Sequence, residues 1–347
     1  MNEISIEQQI FFREHFKNDD IVIVAALNWG MGHSSRCIPV IHWLRRHCTK
    51  VIIASDGAAL DLLKAEFPDL QAELLPSYGV AYKHESIIRN VIMSSPAIIS
   101  AIIREKMIAR ELANKYKATV ILSDNRLGFR TKNVKNYYIT HQINILHPDP
   151  IIAKLGTLVH QKYIRKFDTC FVPDFNVGRA VCPALSYSKD IEAEYLGPLT
   201  RIRLLNLPKE IDICVILSGP EPQRSILESL LLPVLNRMND HKIQFVRGTT
   251  QNFVGMPAED HMLMADIMGT TQIETLLNTS KLLIARSGYS TIMDINHLDI
   301  KAILIPTPGQ TEQEYLASII QNDSKYKIIK QNETNKLPEI IQSMIKY

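Results

Sequence analysis

The chain has 347 residues, 46% hydrophobic and 22% charged, so it can bury full cores and is not intrinsically disordered. Its net charge of +3 is too small to indicate a nucleic-acid-binding protein, and its length suits two domains of ordinary size. The five cysteines are scattered, with no Cys-x-x-Cys pair and no histidine at metal-ligand spacing, so we expect reduced, buried thiols.

The first 20 residues are polar and charged, unlike a signal peptide. No apolar run reaches the ~18 residues that a membrane-spanning helix needs. We therefore expect a cytoplasmic protein, and peripheral contact with the inner face of a membrane remains open.

The apolar, β-branched run Ile21–Leu27 predicts a central parallel strand. It leads into the segment N-W-G-M-G-H-S-S-R at 28–36 and then into an amphipathic helix that ends near His47. A strand, a glycine-rich turn and a helix start open a nucleotide-type α/β domain. Ser35 stands where the dinucleotide fingerprint has its third glycine, and Arg36 follows it, which argues against a dehydrogenase.

The run Thr119–Ser123 predicts another core strand, and Asp124 and Arg126 follow at its carboxyl end. Open α/β sheets bind ligands at that edge. Asp124 is therefore a candidate general base, and Arg126 a candidate for holding an anionic acceptor group. The alternative is that Asp124 caps the next helix.

The segment Val91–Ile103 is strongly apolar and is interrupted by Pro96. One interpretation is a buried helix pair. The other is an exposed apolar patch that contacts a lipid-linked acceptor or a membrane surface.

Strands and helices continue to alternate in the second half of the chain. The run Asp212–Leu217 predicts a strand that leads into Ser218 and Gly219, and Lys281–Ala285 predicts one that leads into Gly288. Both strands precede helices, whose starts attract phosphate. Two similar halves of this kind predict two doubly wound, Rossmann-like α/β domains, residues 1–198 and 199–347.

One motif in the second half is distinctive. A run R-S-G-x-x-T-x-x-D precedes a strand that ends in proline and a loop that reaches Q-x-Y-x-A; its defined positions are Arg286, Ser287, Gly288, Thr291, Asp294, Pro306, Gln313, Tyr315 and Ala317. This pattern resembles the nucleotide-sugar site of GT-B glycosyltransferases, and most closely family 28, which includes the N-acetylglucosaminyltransferase that forms lipid II. The resemblance implies two domains facing a cleft and a UDP-linked donor such as UDP-N-acetylglucosamine. It also implies a carbohydrate or lipid-linked acceptor.

The resemblance also implies roles for single residues. The G-x-G-H loop, with Gly30, Gly32 and His33, would line the acceptor side, and His33 would act as general base or position the acceptor. The alternative is that His33 only caps its own helix. The implied donor-binding residues are Arg201, Ser218 and Gly219 at the diphosphate, Met268 at the nucleobase, Ser287, Gly288 and Thr291 at the helix start, Asp294 at the ribose, and Glu312 and Gln313 at the sugar.

The sequence has no Asp-x-Asp motif, so we expect neither a metal ion nor another cofactor. Helix starts, backbone N–H groups and Arg201 would then stabilise the charge on the leaving diphosphate. No covalent nucleophile is in evidence, so inversion at the anomeric carbon is expected. The alternatives are a sugar-nucleotide epimerase or a non-catalytic nucleotide-sugar-binding protein of the same fold. An epimerase should carry several carboxylates at its site, whereas the first domain offers mainly Asp124 and His33.

Overall fold

A computed structural model describes residues 4–78, 95–176, 178–219, 221–249 and 259–345. The described residues up to Arg201 form one compact unit, and those from Ile202 onwards form a second. Each unit has its own parallel sheet and its own hydrophobic core.

The first unit contains seven parallel strands in the order β3-β2-β1-β4-β5-β6-β7. The strands are β1 (Ile21–Ala26), β2 (Lys50–Ser55), β3 (Gln71–Leu74), β4 (Val120–Asp124), β5 (Lys135–Ile139), β6 (Thr169–Val172) and β7 (Ala193–Tyr195). Its described helices are α1 (Ile6–His15), α2 (Met31–His47), α3 (Gly57–Glu66), α4 (Ser95–Tyr116), α5 (Pro150–Ile164) and the short α6 (Pro183–Ser186).

The central strand β1 shows why this sheet is covered on both faces. Val22, Val24 and Ala26 belong to one core cluster, to which α2 contributes, whereas Ile23 and Ala25 belong to a second cluster, to which α4 contributes. Successive side chains of a strand point to opposite faces, so a continuous apolar run needs apolar partners on both sides.

The second unit contains six parallel strands in the order β10-β9-β8-β11-β12-β13. The strands are β8 (Ile211–Ile216), β9 (Ile243–Val246), β10 (Met262–Ala265), β11 (Ser280–Ala285), β12 (Lys301–Leu304) and β13 (Tyr326–Ile328). Its described helices are α7 (Gln223–Leu235), α8 (Thr270–Thr279), α9 (Tyr289–Leu298), α10 (Thr311–Ile320), a 3₁₀ helix (Gln331–Lys336) and α11 (Leu337–Ile345).

The predicted fold class of doubly wound α/β domains is confirmed, and two short strands carry no apolar signal in the sequence. The third strand, Gln71–Leu74, has no buried residue, so no apolar run marks it. The edge strand β7 has only three half-buried residues and carries Glu194, so no apolar run announces it.

Both sheets reverse direction at their centre. The chain leaves β1 towards β2 and β3, and then returns to the other side of β1 to form β4; β8 and β11 have the same relation. At such a switch point the connections leave the sheet on opposite faces, and a crevice remains at the carboxyl ends of the two strands. The fold therefore predicts one ligand site after β1 and β4, and another after β8 and β11.

Gly128, which follows β4, controls how closely α4 approaches the first switch point. A Cβ atom at this position would lie 2.1 Å from the carbonyl oxygen of Ile102 in α4. We expect Gly128→Ala to lower the free energy of unfolding by about 1–3 kcal/mol, because backbone must move to relieve the overlap. Urea denaturation measures this loss.

Gly156→Ala is the matched control in the same unit. Gly156 lies inside α5, and a Cβ there would make an ordinary 3.4 Å contact with Ile145. Alanine is the better helix former, so stability should stay level or rise by about 0.5–1 kcal/mol. Equal losses in the two variants would contradict the proposed close approach at Gly128.

Candidate functional site

The first switch point brings the two predicted catalytic residues together. Gly30 is the N-cap of α2 in a left-handed conformation (φ 84°), and His33 lies in the first turn of that helix. Asp124 is the last residue of β4. The distance from His33 Nδ1 to Asp124 Oδ1 is 2.8 Å; Asp124 is fully buried, whereas the His33 side chain is 12% exposed. Gly32, between Gly30 and His33, is partly buried.

Arg36, one turn further along α2, completes this cluster. Its Nε and Nη2 atoms each lie 2.5 Å from an oxygen of Asp124, and Nη2 is also 2.8 Å from His33 Nδ1. Its Nη1 atom is 2.8 Å from Nδ1 of His141. The sequence interpretation assigned no role to Arg36. The available signal was its position three residues after His33, which puts both side chains on one helix face.

The electrostatics separate the roles of Asp124 and His33. Burial alone would raise the pKa of Asp124, but the charge of Arg36 and the hydrogen bonds from His33 and Arg36 lower it to about 2. Burial lowers the pKa of His33, and the charge of Arg36 lowers it further, against the opposing effect of Asp124. Asp124 therefore stays ionised and is unsuited to take up a proton. Its 2.8 Å contact with His33 Nδ1 suits it better to orient that imidazole than to act as the general base itself.

Arg126 requires a correction. Its side chain is fully buried; its Nη1 atom lies 2.8 Å from Glu105 Oε1, its Nη2 pairs with Asp56, and its Nε donates to the carbonyl oxygen of Ala26 at 2.7 Å. These contacts link the end of β1, the start of α3 and the middle of α4. The guanidinium is thus occupied by internal partners, and it is not positioned to hold an anionic acceptor group.

The second switch point carries several of the predicted donor-binding residues. After β8 the chain passes through the partly buried Ser218 and the exposed Gly219, whose φ is 107°. The neighbouring strand β11 ends in register with β8, and Gly288 is the N-cap of α9. Thr291 and Asp294 are partly buried and lie three residues apart on α9, so they share one face of this helix.

Ser287 and Gln313 are joined to each other. Ser287 is fully buried, and its hydroxyl donates to the backbone oxygen of Gln313 at 2.9 Å. The side-chain oxygen of Gln313 accepts a 2.8 Å hydrogen bond from the N–H of Thr307. The Ser287 hydroxyl therefore makes a structural hydrogen bond, and a contact of Ser287 with the donor stays a prediction. Glu312, beside Gln313 in the first turn of α10, is partly buried.

Arg286 adds a buried positive charge at this switch point. Its guanidinium donates to the carbonyl oxygens of Ile305, Pro306 and Gln223 and to the side-chain oxygen of Gln331, at 2.6–3.2 Å. Burial lowers its pKa to about 10, so it remains charged at neutral pH. Within the described ranges no carboxylate pairs with it, and its charge is therefore available to attract an anion.

Two further predicted donor-binding residues stay predictions. Met268 is partly buried in the loop between β10 and α8. Arg201 is partly buried and is the last residue of the first unit. In the part of the chain that the structure describes, no group of three or more His, Cys, Asp or Glu side chains is arranged to hold a metal ion. None of the described helices is long and apolar enough to cross a membrane.

Comparison with known proteins gives consistent results. Residues 250–346 match the model of the glycosyltransferase family 28 C-terminal domain. An uncharacterized glycosyltransferase of Methanosarcina acetivorans is 22% identical over 348 residues, covering 91% of this chain and 86% of the relative. The glycotransferase of kitacinnamycin superposes with a TM-score of 0.67 at 13% identity, covering 95% of this chain and 91% of the other. The spinosyn rhamnosyltransferase SpnG, complexed with thymidine diphosphate, superposes with a TM-score of 0.60 at 11% identity, covering 93% and 92%.

The structural role of Arg126 is testable by Arg126→Met. The change leaves Glu105 and Asp56 without their buried counter-ion, so we expect the free energy of unfolding to fall by about 3–5 kcal/mol. Arg45→Met is the control, because Arg45 pairs with Asp69 at 2.6 Å on the surface. That loss should stay below about 1 kcal/mol. Urea denaturation of both variants measures the loss in free energy of unfolding. Similar small losses in the two variants would contradict the structural role of Arg126.

Proposed function

We propose that this chain, a glycosyltransferase of the GT-B fold and of the family 28 type, transfers a sugar from a nucleoside diphosphate to a hydroxyl group of its acceptor. The transfer proceeds without a metal ion and with inversion at the anomeric carbon. The observation that carries the proposal is the 2.8 Å pairing of the partly exposed His33 with the buried Asp124 at the first switch point. An ionised carboxylate that orients a neutral imidazole is an arrangement suited to general-base catalysis.

The proposed reaction begins at the acceptor hydroxyl. With the proton of His33 on Nδ1 and directed at Asp124, Nε2 carries a lone pair. The acceptor oxygen attacks the anomeric carbon while its proton passes to Nε2. The bond from that carbon to the diphosphate breaks, and its electron pair leaves with the diphosphate. Such proton transfer contributes about 10²–10⁴-fold to the rate.

The second switch point supports binding of the donor diphosphate. The start of α9, the Ser218–Gly219 turn and the buried charge of Arg286 all lie where the strand order reverses. Helix starts and cations stabilise the negative charge that develops on a leaving diphosphate. In this proposal Asp294 accepts hydrogen bonds from the ribose, and Glu312 and Gln313 hold the sugar.

The proposed nucleotide is uridine diphosphate, with N-acetylglucosamine as one candidate sugar. Its support is the resemblance of the 286–317 segment to family 28 donor sites. The related fold of the spinosyn rhamnosyltransferase, which was crystallised with thymidine diphosphate, supports a nucleoside diphosphate as the class of ligand. The epimerase alternative is less well supported, because Asp124 is committed to Arg36 and His33.

We extend the proposal to the acceptor side, where a surface of the first unit is suited to an anionic membrane. Helix α5 exposes five large apolar side chains, with 42–76% of their surface accessible: Ile151, Ile152, Leu155, Leu158 and Val159. Residues 150–167 include four lysines or arginines and no acidic residue. Helix α4 exposes Ile99, Ile103 and Met107 in the same unit.

Basic side chains from both helices lie close enough to affect one another. Partial burial lowers the pKa of Lys166, and so do the nearby charges of Arg130, Lys162 and Lys106, the last of which belongs to α4. An apolar helix face that carries only basic charge is characteristic of segments that lie in the interface of an anionic bilayer. Of the predicted patch at 91–103, residues 91–94 lie outside the described residues, and the exposure of Ile99 and Ile103 favours the surface interpretation over a buried helix pair.

Two substitutions test the proposed site map. Asp294→Ala should weaken binding of uridine diphosphate about 10–100-fold, because hydrogen bonds to a charged group are lost. His33→Ala should leave this affinity within about twofold and should lower turnover about 10²–10⁴-fold. Calorimetry with uridine, thymidine, guanosine and adenosine diphosphates measures affinity, and release of nucleotide from the matching nucleotide sugar measures turnover.

Asn296→Ala, at an exposed position of the same helix α9, is the control for the donor site. It should change neither affinity nor turnover. Wild-type values for both Asp294→Ala and His33→Ala would refute the site map. Absence of binding by every nucleotide would refute the proposed function itself.

The membrane surface is tested with the double variant Leu155→Glu/Leu158→Glu. In co-sedimentation with vesicles rich in phosphatidylglycerol, its affinity should fall at least about tenfold, because apolar contact is lost and negative charge is added. Leu263→Glu, at a similarly exposed position of β10, should sediment like the wild type. The proposal fails if the wild type, the double variant and Leu263→Glu all sediment equally. It also fails if the wild type is a dimer in analytical ultracentrifugation and the double variant is a monomer.

A further inference from the structure

Arg36 contacts three titratable groups at the proposed base: Asp124, His33 itself and His141. It is 2% exposed, and its guanidinium reaches both oxygens of Asp124, Nδ1 of His33 and Nδ1 of His141 at 2.5–2.8 Å. Two other groups face this cluster: the thiol of Cys37, 3.6 Å from Asp124, and the buried phenol of Tyr138. Burial raises the pKa of both groups, so both are neutral, and Arg36 and Asp124 are the permanent charges.

The donors and acceptors around His33 and His141 determine which ring nitrogens can carry a proton. A guanidinium only donates, so Nδ1 of His141 accepts from Arg36 and carries no proton in this contact. At His33 both neighbours lie 2.8 Å from Nδ1: Asp124 can only accept and Arg36 can only donate. Only the tautomer whose Nδ1 proton points to Asp124 leaves a basic lone pair on Nε2. In that tautomer Arg36 keeps its two bonds to the carboxylate.

The charges determine when His33 takes up a second proton. A buried carboxylate facing a histidine favours the imidazolium form, and a buried guanidinium at the same distance disfavours it. Because Arg36 neutralises Asp124 within a buried cluster, an imidazolium at His33 gains little from the carboxylate and is repelled by the guanidinium. Without Arg36 the negative charge of Asp124 would act on His33 alone.

We propose that Arg36 is a positioning residue that holds Asp124 in its orienting role and cancels its charge, so that His33 stays a neutral base. This inference rests on the proposed function for its catalytic meaning. Its physical content is a statement about protonation of His33, and it is measurable without any substrate.

Arg36→Gln is the primary test. We expect the titration midpoint of His33, followed by NMR of histidine-labelled protein and identified by comparison with His33→Gln, to rise by about one pH unit or more. The acid limb of kcat/KM should move upwards with it, because a larger fraction of His33 is then protonated at any given pH and cannot act as a base. Alkaline pH should therefore restore much of the activity, and KM for the donor should change little.

Companion variants keep the test decisive. Arg36→Lys preserves the charge and should shift the midpoint less than Arg36→Gln. Arg36→Gln/Asp124→Asn removes both charges and should return the midpoint towards the wild-type value. Arg45→Gln, on the exposed side of the same helix α2, should leave it unmoved. If Arg36→Gln does not fold, the Arg36→Lys shift decides.

Two results separate this inference from the proposed function. An unmoved midpoint in the Arg36 variants, with activity reduced by one factor at every pH, would show a merely structural role and overturn the inference. A raised midpoint in a protein that transfers no sugar from any nucleotide donor would overturn the proposed function and leave the electrostatic role of Arg36 supported.

Discussion

The reversal of strand order at the centre of each sheet is the constraint on which the candidate chemistry depends. Between β1 and β4, and again between β8 and β11, the outgoing connections go to opposite faces of the sheet, so the strand ends are not covered by their own helices. His33 and Asp124 follow the first pair, and Gly288 follows the second. The same rule of chain connection, applied once in each unit, produces one place suited to proton transfer and another suited to anion binding.

Three buried arginines near these places differ because their partners differ. Arg126 pairs with two carboxylates, those of Asp56 and Glu105, which neutralise its charge and link strands to helices. Arg36 shares a single carboxylate with a histidine, so its charge acts on a titratable group. Among the described residues, the partners of Arg286 are neutral oxygens. Burial alone therefore says little about what an arginine does, and the charge of its neighbours decides.

The sequence was sufficient for the core elements but not for the side-chain partners. Continuous apolar runs marked β1, β8 and β11, because strands buried on both faces need them, and glycines marked the turns that follow. The polar edge strand β7 gave no such signal. The roles of Arg126 and Arg36 do not follow from local sequence, because their partners Asp56 and Asp124 lie 70 and 88 residues away. Ser287 was likewise placed at the correct strand end, but its contact with Gln313 depends on packing that no local pattern records.

The buried positive charge of Arg286 affects how the proposed donor site distinguishes the intact sugar nucleotide from the released nucleotide. A nucleoside diphosphate released from a sugar ends in a phosphate that carries more negative charge than the phosphodiester of the intact sugar nucleotide. A buried guanidinium that has no carboxylate partner among the described residues attracts the more anionic of the two more strongly. If the proposed donor site is used, the released nucleoside diphosphate is therefore expected to bind there more tightly than fresh donor and to compete with it.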